Sequence, residues 1–260
     1  MRNSCSKFRT LLLACGLFWA LPLISSIYHA GLMPSGVECC SICSPGFAQV
    51  FAGQTKDQPK KLPLAPEAKA NLDKLIEGNR RFAAGKPLHK HTSLEWRAQI
   101  AKGQKPIATI LGCADSRVTP ELIFDQGLGD LFVVRVAGNV VDSDVTGSLE
   151  YAGLHLGTRI FVVLGHEQCG AVSAVVAADE QSKEPAGLRK LLHRIRPALK
   201  DINPKLPKEK RIAAAVEANV RWSMTQLAAI PEHQKALADG KVALVGAVYE
   251  LETGKVRLLD

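Results

Sequence analysis

The sequence predicts an α/β fold: a single domain with a mainly parallel central β-sheet flanked by helices and a closing C-terminal hairpin. Three observations predict it. Short apolar runs rich in β-branched residues recur along the chain, as strands buried on both faces require. Amphipathic segments with helical spacing lie between these runs, and strands alternating with helices build parallel sheets. Two stretches carrying thiol, imidazole and charged groups directly follow two of the runs, and open parallel sheets gather ligands at the carboxyl ends of strands.

The elements follow in order. From Ala65 to Ala84, Ala68, Leu72, Leu75, Ile76 and Phe82 recur at helical spacing and Gly85 stands past the end, so a helix is expected there. A loop and a shorter helix around Leu94–Lys102 follow. Pro106–Gly112, Leu131–Val136, Arg159–Leu164 and Val242–Tyr249 are the expected strands. Helical segments are expected near Pro120–Phe124, Asp144–Leu156, Cys169–Ala178, Ala186–Lys200 and Ile212–Ala229. At the end, Val242–Leu251 and Lys255–Leu259 flank Thr253-Gly254 as a hairpin.

The first 55 residues have a different character. Arg2, Lys7 and Arg9 precede an apolar run from Leu11 to about Leu32, the order of a secretory leader. Pro22, Ser25, Ser26 and His29 interrupt the run, which weakens the alternative of a retained membrane anchor. Cleavage after Ala48 or Ala52 would release an exported, periplasmic or secreted protein; an uncleaved leader would tether it to a membrane. Residues 56–66 are rich in Lys and Pro and read as a linker. Residues 67–260 form the expected folded body, large enough to bury a core without covalent staples.

Cysteine placement separates the two regions. Of seven cysteines, Cys5, Cys15, Cys39, Cys40 and Cys43 lie in the leader region, and only Cys113 and Cys169 in the body. A disulfide framework would spread an even number through a small domain. Here each body cysteine sits in a motif with other reactive groups: Cys113-Ala114-Asp115-Ser116-Arg117 and His166-Glu167-Gln168-Cys169-Gly170. Two thiolates and an imidazole suit zinc. Three such ligands beside an acid and a base leave a fourth position for water or for Asp115, as in a catalytic metal site. Cys169 is expected near a helix N-terminus, where backbone dipoles favour the thiolate. His89, His91, His155, His193 and His233 have no ligand spacing.

Charge points to no polymer partner. The chain has a formal net charge of +8. Between Lys183 and Arg211 stand ten basic and three acidic residues, but Leu188, Leu191, Leu192, Ile195 and Leu199 recur at helical spacing among them. The basic residues therefore fill the solvated face of a helix. No aromatic residue interleaves to stack bases, so no nucleic-acid partner is expected.

The two motifs, in this order and at this separation, resemble those of the beta-class carbonic anhydrases, Cys-x-Asp-Ser-Arg followed by His-x-x-Cys-Gly. The similarity extends over about residues 67–260, through Glu77-Gly78-Asn79-Arg80-Arg81-Phe82, Val134-Arg135-Val136-Ala137-Gly138-Asn139 and Glu150-Tyr151-Ala152. The resemblance implies a zinc lyase that interconverts carbon dioxide and bicarbonate with one Zn2+ per chain. Cys113, His166 and Cys169 would hold the metal, and Asp115 and Arg117 would form a catalytic dyad. The family also has an arrangement in which the aspartate takes the fourth metal position, so Asp115 is a candidate ligand as well. Gln104, Phe132, Ala137 and Tyr151 match positions lining the substrate pocket. In the family, Gln104, Phe132 and Tyr151 would come from a neighbouring subunit, which implies a homodimer or homotetramer. A hydrolase of carbon disulfide or carbonyl sulfide, or a zinc module without turnover, are the alternatives. Intact Asp115, Arg117 and Gln104 argue against the second, because zinc storage needs none of them.

Overall fold

Apolar residues with branched side chains set the centre of the computed structural model, which describes residues 64–177 and 184–260. Ala108–Gly112 forms strand β1, buried at every position. Leu131–Arg135 forms β2, Ile160–His166 β3, Ala243–Tyr249 β4 and Val256–Leu258 β5. They make one five-stranded sheet in the order β2-β1-β3-β4-β5. The first four strands run parallel, and β5 returns antiparallel to β4. Parallel neighbours need crossover connections, and helices supply them.

Helix α1 spans Pro66–Ala83, α2 Leu94–Ile100, α3 Pro120–Ile123 and α4 Ser143–Leu154. Helix α5 spans Gly170–Ala177, α6 Ala186–Ile195, α7 Lys208–Ala228 and α8 Pro231–Ala238. Successive strand residues point to opposite faces. Accordingly Ile110, Val162 and Leu164 enter one core with Leu72 and Leu75 of α1 and Ile123 of α3. Leu111, Val163 and Val248 enter the other with Val172 of α5, Ile195 of α6 and Val216 and Val220 of α7. Burial on both faces is why these strands read as continuous apolar runs.

The chain leaves β1 toward β2 on one side and reaches β3 on the other, so strand order reverses beside β1. The carboxyl ends of β1 and β3 are neighbours there, with Gly112 paired to Leu164. This is where a doubly wound sheet opens a crevice.

Several boundaries differ from expectation for local reasons. The helix expected over 186–200 divides into α6 and a 3-10 turn, Arg196–Leu199. Pro197 has no N–H to continue the α-helical ladder. Helix α7 begins at Lys208, just after Pro207, rather than at Ile212. Helix α8 was not anticipated; Pro231 at its first turn was the available signal. The closing hairpin forms, with Gly254 at φ 71°. Residues 1–63, with the leader and nearly all of the linker, lie outside the described residues, as do residues 178–183. Among the described residues, no helix is long and apolar enough to cross a membrane.

Candidate active site

The strand β1 ends at Gly112, and the next three residues are not strand. Asp115 therefore reaches Cys113 through a turn, not through strand alternation. The Asp115 N–H lies 3.4 Å from the Cys113 Sγ and donates to it. The turn is clamped from β2: Arg135 donates through Nε to the Cys113 carbonyl at 2.9 Å and through Nη2 to the Asp115 carbonyl at 2.6 Å. A second N–H, from Gly138, points at the same sulfur from 3.3 Å. Gly138 has φ 68°, a region that favours glycine, and an added Cβ would press on Ile195 Cδ1 at 2.6 Å and Ala171 Cβ at 3.2 Å.

His166 is the last residue of β3 and is fully buried. Its Nδ1 lies 2.8 Å from the Glu167 carbonyl oxygen. A carbonyl only accepts, so Nδ1 carries the proton and Nε2 keeps a lone pair. That buried Nε2 has no hydrogen-bond partner. Between His166 and Cys169 the backbone turns at Gln168, which has φ 51°. The left-handed residue of this turn is therefore Gln168 and not a glycine. Gly165 serves packing instead: a Cβ there would lie 2.6 Å from Val220 Cγ2. Cys169 immediately precedes α5, and the N–H groups of Ala171 and Val172 support its sulfur.

The ligand atoms of Cys113, His166 and Cys169 all lie within 4.8 Å of one another, and all three residues are buried. The two sulfurs are 3.9 Å apart. Two sulfurs each about 2.3 Å from one tetrahedral ion would stand about 3.8 Å apart. The hydrogen bond from Cys169 outweighs burial and lowers the pKa of the Cys113 thiol. The same bond, with burial and the negative charge on Cys113, pushes Cys169 up. A second thiolate is thus unfavourable without a cation between them. The aligned lone pair, the sulfur spacing and this shared proton all fit a divalent soft-to-borderline metal.

Asp115 turns both carboxylate oxygens to Arg117. The Arg117 backbone N–H and Nε donate to Oδ1 at 3.0 and 2.9 Å, and Nη2 donates to Oδ2 at 2.8 Å. The Arg117 side chain holds the Asp115 carboxyl well below the usual carboxylate range, against the opposing effect of burial. Asp115 Oδ2 is also 3.8 Å from His166 Nε2, at the edge of the same cluster.

The residues assigned to the pocket divide. Ala137 opens a 3-10 turn, Ala137–Asn139, beside the Cys113 sulfur. Phe132 and Tyr151 pack together with ring centroids 6.1 Å apart. Phe132 pairs with Thr109, whereas Arg135 pairs with Gly112 at the ligand end. Three residues along a strand are about 10 Å. Gln104 is exposed in the loop before the amino end of β1. One chain therefore gathers Cys113, Asp115, Arg117, Ala137, His166 and Cys169, and leaves Gln104, Phe132 and Tyr151 away from them.

Arg135 and Asn139 lie in the stretch Val134–Asn139 that carries the resemblance, whereas no motif includes Asn219 and Ser223. Asn219 Nδ2 donates to the Gly138 carbonyl at 2.8 Å, and Ser223 Oγ donates to the Asn139 carbonyl at 3.0 Å. A signal existed: two small polar residues four apart among Ala215, Val216, Val220 and Leu227.

A family model described as carbonic anhydrase matches residues 108–256. The chain is 46% identical over 192 residues to carbonic anhydrase 2 of Mycobacterium tuberculosis, covering 72% of this chain and 90% of that one. It is 35% identical over 168 residues to a carbonic anhydrase of Pseudomonas aeruginosa, covering 62% and 76%. Among solved structures, the beta-carbonic anhydrase CcaA superposes with a TM-score of 0.62 at 28% identity, over 74% of this chain and 88% of that one. The beta-carbonic anhydrase of Coccomyxa in complex with acetazolamide superposes with a TM-score of 0.59 at 31% identity, over 72% and 86%.

Proposed function

The chain belongs to the beta-class carbonic anhydrases, and on that premise we propose that Cys113, His166 and Cys169 hold one zinc ion in a site that interconverts carbon dioxide and bicarbonate. The observation that carries this is the buried, unpartnered Nε2 of His166 facing two sulfurs 3.9 Å apart, with an arginine-tied carboxylate alongside. Bound there, zinc supplies Lewis acidity that makes water nucleophilic near neutral pH.

The chain's own residues orient the reaction. Asp115, kept ionised by Arg117, accepts a hydrogen bond from the attacking water's O–H and so turns its lone pair toward the carbon of carbon dioxide. Arg117 fixes the carboxylate through a two-pronged contact, a geometry that a lysine lacks. Two thiolate ligands donate more charge than imidazoles. Stopped-flow hydration with measured zinc content is therefore expected to rise with pH through an inflection above about 7. Asp115 adds no inflection there: its lowered value keeps it a carboxylate at every pH above the ordinary acidic range. Zinc-loaded protein without hydration activity would sink the proposal; an inflection well below neutral would sink its charge argument.

Gln104, Phe132 and Tyr151 complete the substrate pocket of a second copy in this reading. Their distance from their own chain's cluster supports it. So do the edge position of β2, the 46% exposure of Tyr151 and the 80% exposure of Leu154. Sedimentation is expected to show a dimer or tetramer, and a fully active monomer would remove this part of the reading.

A further inference from the structure

Cys113 receives two backbone N–H groups, and the one from Gly138 depends on a left-handed turn. Gly138 at φ 68° is followed by Asn139 at φ 43°, two successive residues in the left-handed region. Glycine and asparagine are the residues that enter that region most readily, so the local sequence permits the turn and its surroundings fix it. The surroundings lie about eighty residues further along the chain, on α7. Asn219 and Ser223 are one helical turn apart and share a face. Asn219 donates to the Gly138 carbonyl and Ser223 to the Asn139 carbonyl, so consecutive carbonyls of the turn are each held. Asn139 Nδ2 returns a long contact to Ser223 Oγ at 3.5 Å.

These polar groups are deep in the molecule: Asn219 is 1% exposed, Ser223 0% and Asn139 2%. The other buried residues of α7, Ala215, Val216, Val220 and Leu227, are all apolar. A buried polar side chain is costly unless its hydrogen bonds are made, and here they are made to the turn that faces Cys113.

We propose that Asn219 and Ser223 are positioning residues for the metal centre, holding the Gly138 N–H against the Cys113 sulfur and so setting how strongly that thiolate donates to a bound metal. A hydrogen bond to a thiolate draws charge from sulfur and weakens it as a donor; groups behind the ligands tune a metal in this way. This rests on the zinc reading above, and the experiment separates the two.

Cobalt(II) in place of zinc makes the thiolate visible as a sulfur-to-metal charge-transfer band. Asn219→Leu keeps the branching of the side chain and removes the donor; Ser223→Ala is the milder second variant should the first fail to fold. Asn71→Ala is the control, because Asn71 is another buried asparagine donating to a carbonyl, that of Ile107 at 3.0 Å, away from the cluster. In the folded α7 variants the band is expected to move to lower energy, because the sulfur donates more strongly, and zinc to be lost to a competing chelator about tenfold more readily, because the freed turn no longer holds Cys113 in the ligand position and that loss of positioning outweighs the stronger donation. Asn71→Ala is expected to lower thermal stability and leave both readouts at the wild-type values. Folded α7 variants with wild-type band and zinc retention, in a protein whose wild type loads metal and hydrates carbon dioxide, would overturn this inference alone. A wild type that takes up neither metal would overturn it together with the zinc reading.

Discussion

Cys169→Ser is expected to lose its zinc to a chelator and to hydrate carbon dioxide no faster than buffer. The hydroxyl of serine stays protonated where the thiol ionises, so the site keeps one thiolate and one imidazole. Zinc bound by thiolates and imidazoles in small domains releases about 10–16 kcal/mol. A quarter of that, about 3 kcal/mol or more, is over a hundredfold in affinity. The fold should survive the exchange, because the N–H groups of Ala171 and Val172 that face the sulfur can face a serine oxygen instead. The loss is thus specific to the metal. Zinc content after dialysis, circular dichroism and stopped-flow hydration check the three parts. The gap in melting temperature between zinc-loaded and chelator-treated protein should vanish in the variant, since metal binding adds to folding stability in the wild type. A folded variant with one zinc per chain and a normal rate would show that Cys169 is not a ligand.

What could be read in the sequence, and what could not, divides along a physical line. The strands Ala108–Gly112 and Ile160–His166 were legible as the apolar runs Pro106–Gly112 and Arg159–Leu164, because strands buried on both faces are predominantly apolar. Cys113 and His166 stand at the carboxyl ends of neighbouring strands, so the motifs and the strand pattern together imply the cluster. Proline marked the end of α6 and the starts of α7 and α8, but which side of a proline continues as helix depends on packing. The support behind the ligands was harder. Arg135, Asn219 and Ser223 act through backbone carbonyls, and a carbonyl carries no residue identity. A polar residue within a helical pattern also looks alike whether it faces water or a buried turn. Gln168 illustrates the limit: glycine was the obvious place for an unusual backbone, yet the left-handed residue is the glutamine, imposed by the strand and helix on either side. The dispersal of Gln104, Phe132 and Tyr151 away from the cluster was legible only through family resemblance, because a single chain's spacing does not encode which copy a side chain serves.

Asp115→Asn should behave in the opposite way to the ligand variant, keeping zinc while turnover falls about 10²–10³-fold, or roughly 3–4 kcal/mol of transition-state stabilisation. The carboxylate accepts three hydrogen bonds, all from Arg117. An amide in its place has one accepting oxygen and one donating nitrogen, so at least one Arg117 donor faces another donor. The amide must rotate or the guanidinium must leave, and either movement spoils the aim of the attacking water. Removing the charge matters separately, because an ionised acceptor holds an O–H more strongly than an amide does. Arg117→Ala should reduce turnover by a comparable factor, since Asp115 would keep its charge and lose the side-chain contacts that fix its direction. Arg117→Lys should recover part of the charge effect and little of the orientation. If the two residues act as one unit, the double variant should be little slower than the worse single one. Independent roles would multiply the losses instead. Zinc content identical to wild type in every variant is what distinguishes this pattern from damage to the metal site. An Asp115→Asn enzyme with wild-type turnover would remove the carboxylate from the reaction and leave Arg117 as a surface cation, its side chain half exposed, with only a structural part in holding the turn.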